Sequence, residues 1–199
     1  MLRTTRKLAR ARRGKAGMTL LELVIAMAVL ATGLGALSTL FISAALSNNK
    51  NSRNTTATLL AQLVLDQIAA QSPNSTATIY LTDCVGNQWA IATTGGAAPA
   101  GAGALLDTTA TDYNYGGINP SQTYSAIPPA TSTVPGYAMQ YVDCGAAGAQ
   151  STYDVRWNVI NMDTYTRLIT VSARQTSSST QLGGAIYAMP ITLRGIGGQ

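Results

Sequence analysis

The side chains best able to carry out chemistry are aspartates in the second half of the chain. Six of them lie beyond residue 80: Asp83, Asp107, Asp112, Asp143, Asp154 and Asp163. No spacing among them matches a calcium-binding EF-hand loop, and aspartates beside Gly, Asn and Thr are typical of turns. The chain has no histidine, which removes the commonest general base and the Ser-His and Cys-His dyads. We therefore expect no enzymatic activity, no metal site and no cofactor.

Two cysteines, Cys84 and Cys144, lie in the similar contexts TDCVG and VDCGA. Neither has a CxxC partner, so a four-ligand zinc site is excluded. If this part of the chain is exported to an oxidising compartment, we expect a disulfide between them. Two free buried thiols are the alternative.

Glu22 stands at the beginning of a long apolar run. From Leu23 to Ser47 the chain has no charged residue and no proline. These 25 residues would form a helix of about 37 Å, enough to cross a bilayer core with some tilt. A buried core helix and a secretory signal are the alternatives, but the first rarely needs so long an uncharged run, and the second is usually shorter. We expect a transmembrane helix over residues 18–47.

The basic residues are concentrated before this helix. Seven of the thirteen lie in the first fifteen positions, where there is no acid. By the positive-inside rule this end stays in the cytoplasm and the rest is exported. From Met18 onward six basic residues face eight acids, a formal charge of −2. The pI of about 9.4 therefore belongs to a leader over residues 1–17, and nucleic acid is not an expected partner.

An ionised Glu22 in hydrocarbon is costly unless it is paired. The nearest downstream cation, Lys50, is out of reach along the same helix. A free α-amine on Met18 would lie close, if the chain were cut after Gly17. In a regular helix this amine cannot comfortably bond its own Glu22, but it can bond the Glu22 of a neighbouring helix shifted along its axis. We interpret Glu22 as an assembly residue between packed copies.

The run Gly17-Met18-Thr19-Leu20-Leu21-Glu22 after a basic leader resembles the class III signal of type IV pilins and type II secretion pseudopilins. Met18 replaces the commoner phenylalanine. The resemblance implies cleavage between Gly17 and Met18 by a prepilin peptidase, N-methylation of Met18, and pairing of Glu22 with the amine of an adjacent subunit. The run GLGAL and the tail over residues 153–174 are similar to PilV-type minor pilins.

The resemblance also implies partners and a location. The partners are the prepilin peptidase, other pilin subunits through helix packing, the inner-membrane assembly platform, and the inner membrane before assembly. The final location is a periplasmic or cell-surface filament. We favour a structural, minor subunit of a type IV pilus. One alternative is a pseudopilin of a type II secretion system. A more distant one is a membrane-anchored tip adhesin or binding module that uses exposed tyrosines: Tyr113, Tyr115, Tyr124, Tyr137 and Tyr141.

An amphipathic stretch over residues 48–72 continues the helix. Its apolar positions recur at three- and four-residue spacing: Ala57, Leu60, Ala61, Val64 and Ile68. Ser72-Pro73 ends it. Residues 73–199 then form the exported domain. We predict strands over 76–82, 87–93, 151–160, 165–174 and 185–194, with a long exposed loop over 95–122. The alternation in 151–160 predicts a half-buried strand. The helix packed on this antiparallel sheet gives an α+β, type IV pilin-like roll.

Overall fold

The computed structural model describes residues 18–73, 75, 77–109, 115–145, 150–176 and 190–198. The leader with Gly17, the residues Asp112 and Tyr113, and the first half of the predicted strand over 185–194 lie outside the described residues. The chain divides into two units after Asn48. The division falls within the helix, so the amphipathic stretch belongs to the same unit as the sheet.

Helix α1 runs from Leu20 to Ala69. In the first unit every described residue is exposed, including the large apolar side chains up to Leu46. By length and composition alone, this helix is long and apolar enough to cross a membrane. Its hydroxyl side chains bond to the helix's own backbone: Thr32 Oγ1 donates to Val29 O at 2.9 Å and Ser38 Oγ to Leu34 O at 2.9 Å. Such internal bonds lower the cost of placing hydroxyl groups in lipid.

In the second unit α1 buries one face. The five buried residues are the five that the spacing predicts: Ala57, Leu60, Ala61, Val64 and Ile68. They form the main core with the facing side of the sheet. The apolar stripe therefore has the function its period indicates, which is to cover a β-sheet.

The described residues of the second unit form eight strands, which are β1 Ile79–Thr82, β2 Gln88–Ile91, β3 Gly96–Ala97, β4 Ala102–Gly103, β5 Ala138–Cys144, β6 Gln150–Asn161, β7 Arg167–Gln175 and β8 Ile191–Gly197. Strands β1 and β2 form a separate antiparallel hairpin. In the six-stranded sheet the order is β3-β6-β7-β8, and β4 and β5 also pair with β6. All of these pairings are antiparallel except the short one between β3 and β6. The predicted α+β, pilin-like architecture is confirmed.

The central strand β6 faces the helix with alternate residues. Tyr153, Val155, Trp157 and Val159 lie in the main core, and Trp157 Nε1 donates to Ala92 O at 2.9 Å. Opposite them in register, β7 contributes Ile169, Val171 and Ala173. This face of the sheet matches the alternation read from the sequence.

The prediction that β6 is only half-buried is wrong. The residues of its other face are also buried: Asp154, Arg156 and Asn158 are 4%, 5% and 2% exposed. Ala104 and Ile118, from the segment predicted to be an exposed loop, cover part of this second face in a small cluster with Ile127 and Ala138. Asn158 Nδ2 donates to Ala100 O at 2.9 Å and to Ala104 O at 2.7 Å. Polar side chains are buried here because backbone carbonyls of the covering segment pair with them.

Candidate processing and assembly site

The start of α1 is capped by a threonine. Met18 and Thr19 precede the first helical residue, Leu20. The backbone N–H of Glu22 donates to Thr19 Oγ1 at 3.3 Å, and the N–H of Leu23 donates to Thr19 O at 3.2 Å. Thr19 is thus the N-cap and Glu22 the third helical residue, the spacing of a capping box.

The position of Glu22 has an electrostatic consequence. It is the acidic residue of the helix's first turn, where the unpaired N–H groups give the helix end a partial positive charge. Neither ion pair among the described residues includes Glu22. The helix end therefore offers this carboxylate a local stabilisation before any neighbouring chain is considered. Sequence reasoning from charge pairing alone missed this contribution, although the Thr-x-x-Glu pattern could have indicated it.

Of the predicted processing and assembly residues, the structure describes Met18 and Glu22. It places them four residues apart at the exposed amino-terminal end of α1, with Met18 66% exposed. Gly17 lies outside the described residues. The cleavage, the methylation and the pairing of Glu22 with an adjacent subunit stay predictions.

The predicted cysteine pair lies in the second unit. Cys84 and Cys144 form a disulfide, with an S–S distance of 2.08 Å and a Cα–Cα distance of 5.8 Å. It joins the turn of the β1–β2 hairpin to the end of β5, where the N–H of Cys84 also donates to Val142 O at 3.3 Å. The bond ties the separate hairpin to the main sheet.

The tyrosines proposed for an adhesive surface are mostly used in packing. Tyr137 Oη donates to Thr94 O at 2.7 Å, and Tyr141 Oη donates to Thr82 O at 3.4 Å. Tyr124 packs on the small cluster, and burial, followed by the charge of Asp154, raises its pKa to about 12. Only Tyr115 of the four described tyrosines in this set is largely exposed, at 61%. These contacts favour a structural role.

The described aspartates beyond residue 80 do not assemble into a catalytic or metal-binding group. Asp83 accepts bonds within the β1–β2 turn, and Asp163 accepts bonds from Tyr165 N and Thr166 N. Asp154 pairs with two arginines. Within the described ranges, no three His, Cys, Asp or Glu side chains converge as a metal site would require.

Comparison with known proteins gives one match. A family model for the prokaryotic N-terminal methylation motif matches residues 12–38. No curated protein and no solved structure matches the chain. The matched residues include Gly17, Met18, Glu22 and the first part of the apolar run.

The motif marks structural, pilin-type proteins and implies processing by a prepilin peptidase and assembly with other pilin subunits. Together with the apolar helix it indicates membrane anchoring before assembly, and it supports a place for this chain among the type IV pilins and pseudopilins.

Proposed function

We propose that this chain is a minor, structural subunit of a type IV pilus. The observation that carries the proposal is the methylation motif over residues 12–38, which coincides with a capped, apolar helix whose first turn holds a single acid. The second unit adds a packed domain in which the described acids are used in turns and ion pairs. This arrangement suits a protein that is modified and assembled by others.

Assembly in this proposal uses a charge exchanged between subunits. Removal of residues 1–17 leaves a new α-amine on Met18, which the family's chemistry methylates. In the inner membrane, residues 18–47 span the bilayer with the amine at the cytoplasmic side. When helices pack, the amine of one subunit pairs with Glu22 of the next. The pairing removes most of the cost of a carboxylate in an apolar bundle, because the two charges satisfy each other there.

The first test is processing. The chain is co-expressed with a prepilin peptidase, and its intact mass is measured. We expect loss of the first 17 residues and one added methyl group on Met18. Gly17→Val should block the cut, whereas Gly14→Val, a matched change inside the leader, should not. An uncut wild-type chain in the presence of an active peptidase contradicts the proposal.

The second test is assembly. Glu22→Gln removes the charge and keeps the shape of the side chain. We expect normal cleavage but a loss of most incorporation into filaments, measured by immunoblotting of sheared pili. Asp66→Asn is the matched control, because Asp66 is an exposed acid on the same helix. Normal incorporation of the Glu22→Gln chain would remove the pairing role.

A minor rather than a major role is inferred from the resemblance of GLGAL and of the β6–β7 region to PilV-type proteins. Quantitative mass spectrometry of purified filaments tests it. We expect this chain at a small fraction of the main subunit, with fewer or altered pili after its deletion. A pseudopilin would share the processing and Glu22 results, but its deletion would impair protein secretion and leave surface pili intact.

A further inference from the structure

The second face of the sheet, opposite α1, has a small charged cleft. We call it the arginine cleft, and it is lined by Pro120, Asp154, Arg156, Ser172, Arg174 and Pro190. The strand register places its polar members side by side: Asp154 is opposite Arg174, and Arg156 is opposite Ser172. Its free interior is about the size of one water molecule. A ligand would therefore insert only a small group.

The cleft has more positive than negative charge. Asp154 Oδ1 accepts from Arg156 Nε at 2.8 Å, and Oδ2 accepts from Arg156 Nη2 at 2.6 Å. The same Oδ2 also accepts from Arg174 Nη2 at 3.1 Å and Nε at 3.4 Å. Among the described residues no other acid forms an ion pair with either arginine. One carboxylate is thus paired with two guanidinium groups, and these three side chains together carry a net charge of about +1.

The two arginines differ in their exposure and in how many of their hydrogen-bond donors have a partner. Arg156 makes a bidentate pair with Asp154 and also donates to Gln122 O, and its side chain is 6% exposed. The side chain of Arg174 is 26% exposed, and its bonds to Asp154 are the longer ones. Its Nη1 has no bond to any residue in the described ranges. Arg174 is therefore the group with donors to offer to an incoming anion.

A hydroxyl group beside the cleft points to the same conclusion. Thr192 lies directly opposite Ser172 in the β7–β8 register, so both side chains are on the second face. Its Oγ1 is buried and has no hydrogen-bond partner in the described part of the chain. Most buried polar atoms in folded proteins have a hydrogen-bond partner, so this hydroxyl can offer a bond to a group that enters beside it.

We propose that the arginine cleft binds the carboxylate group of a small organic acid. A carboxylate carries one negative charge, which balances the surplus of the cleft, and its planar pair of oxygens matches the fork of a guanidinium. A doubly charged phosphate would leave one negative charge unbalanced, and the free interior of the cleft accepts about one oxygen atom of any ligand. Pro120 and Pro190 give the cleft apolar walls against which the carbon part of an acid or an acidic sugar can lie. This inference does not depend on the proposed pilus function.

The test is a titration of the full chain in non-ionic detergent, in which binding is followed by the NMR signal of the Arg174 Nε–Hε group. The probes are sodium acetate, sodium glucuronate and glucose, at ionic strength held constant with sodium chloride. We expect a saturable shift with acetate and glucuronate and none with glucose. If acetate and glucuronate bind equally, the carboxylate alone is recognised. Tighter binding of glucuronate identifies an acidic sugar as the ligand source.

Two variants make the result specific. Arg174→Gln leaves the Arg156–Asp154 pair in place and should weaken carboxylate binding by about tenfold or more, followed on the backbone signals of Ser172 and Thr192. Arg194→Gln is the matched control: it removes an equal charge from an exposed arginine whose Nη2 donates to Tyr115 O, and binding should stay within about twofold. The proposal would be overturned by an unchanged carboxylate affinity in a folded Arg174→Gln chain. It would also be overturned if chloride alone shifted the signal as much as acetate does. In either case the cleft would be a site for water.

Discussion

Arg167, the first residue of β7, forms the main polar link between the sheet and the end of the helix. It is 1% exposed, and its guanidinium donates to Thr93 O at 3.0 Å and to the carbonyl oxygens of Ile68 and Gln71. The last turn of α1 has no basic residue of its own. Arg167 therefore supplies from another element the positive charge that helix carboxyl ends favour. Burial lowers the pKa of the guanidinium below its ordinary value, and the group stays charged at neutral pH.

Replacement of Arg167 by methionine keeps the length of the side chain and removes its donors. Three buried carbonyl groups lose a partner, so we expect the free energy of unfolding to fall by about 3 kcal/mol. Urea unfolding followed by tryptophan fluorescence measures it. Arg194→Gln, at an exposed site, should change it by less than about 0.5 kcal/mol. Equal effects of the two substitutions would contradict the role assigned to Arg167.

Asp83 makes the stability of the β1–β2 turn depend on pH. Burial acts to raise the pKa of its carboxyl group, but hydrogen bonds from the side chain and backbone of Asn87 act against it, and the pKa is lowered from 3.8. The stabilisation is therefore fully present above pH 3.8 and is lost as the pH falls through the lower, folded-state value. In Asp83→Asn we expect a chain less stable by about 1 kcal/mol at pH 7, with a smaller loss of stability between pH 4 and pH 2. Urea midpoints across this range check it, and parallel curves for the two chains would contradict it.

These residue-level contacts were only partly accessible from the sequence. Glu22 is conspicuous because a single acid borders an apolar run. Arg167 looks like an ordinary strand residue, since its three acceptors come from residues 68, 71 and 93, which only the folded chain brings together. Side chains that bond to distant backbone carbonyls have no sequence signature, because every residue offers the same carbonyl group.

At the scale of elements, periodicity predicts the helix stripe and the helix-facing side of β6. It does not predict β5, because none of the predicted strands falls between residues 123 and 150. It also fails on the second face of β6, because alternating polar residues indicate solvent unless the covering segment is known. That segment is rich in Gly and Ala and covers the sheet through backbone groups. The failures therefore lie where burial depends on main-chain partners.

The contact between β8 and the helix depends on two glycines. A Cβ atom at Gly197 would lie 3.0 Å from Ala69 Cα, whereas one at Gly195 would lie 2.8 Å from Cδ2 of the Leu65 side chain. The backbone at Ala69 can move only if the helix moves, but the end of a leucine side chain can rotate. We expect Gly197→Ala to lower the free energy of unfolding by about 2 kcal/mol and Gly195→Ala by less than about 1 kcal/mol. Urea unfolding of the two variants compares them, and a larger loss from Gly195→Ala would contradict this packing.

At the scale of the whole molecule, the two units have different sources of stability. The first is a helix whose apolar side chains are exposed and therefore need lipid or other helices around them. The second has its own core, a disulfide and buried ion pairs. The sequence predicted this difference from the change of composition after the apolar run. The position of the division, within α1, follows from packing and is not visible in the composition.

The disulfide should act on the whole second unit. It joins residues 60 positions apart, so in the chain-entropy model it stabilises the fold by about 4 kcal/mol. We expect the Cys84→Ser/Cys144→Ser chain to lose an amount of this order in urea unfolding, and reductant to affect the wild-type chain alone. A double variant as stable as the oxidised wild type would show that the bond is unnecessary.

The carbonyl-held cover of the second face bears on which substitutions the domain can tolerate. A peptide oxygen accepts a hydrogen bond whatever residue carries it, so mutations can accumulate in the covering segment while the architecture persists. Residues 12–38 differ in this respect, because the methylation motif that they match is defined by side chains. We therefore expect the covering segment to tolerate replacements that keep its backbone path, even where they alter every side chain that it exposes to solvent.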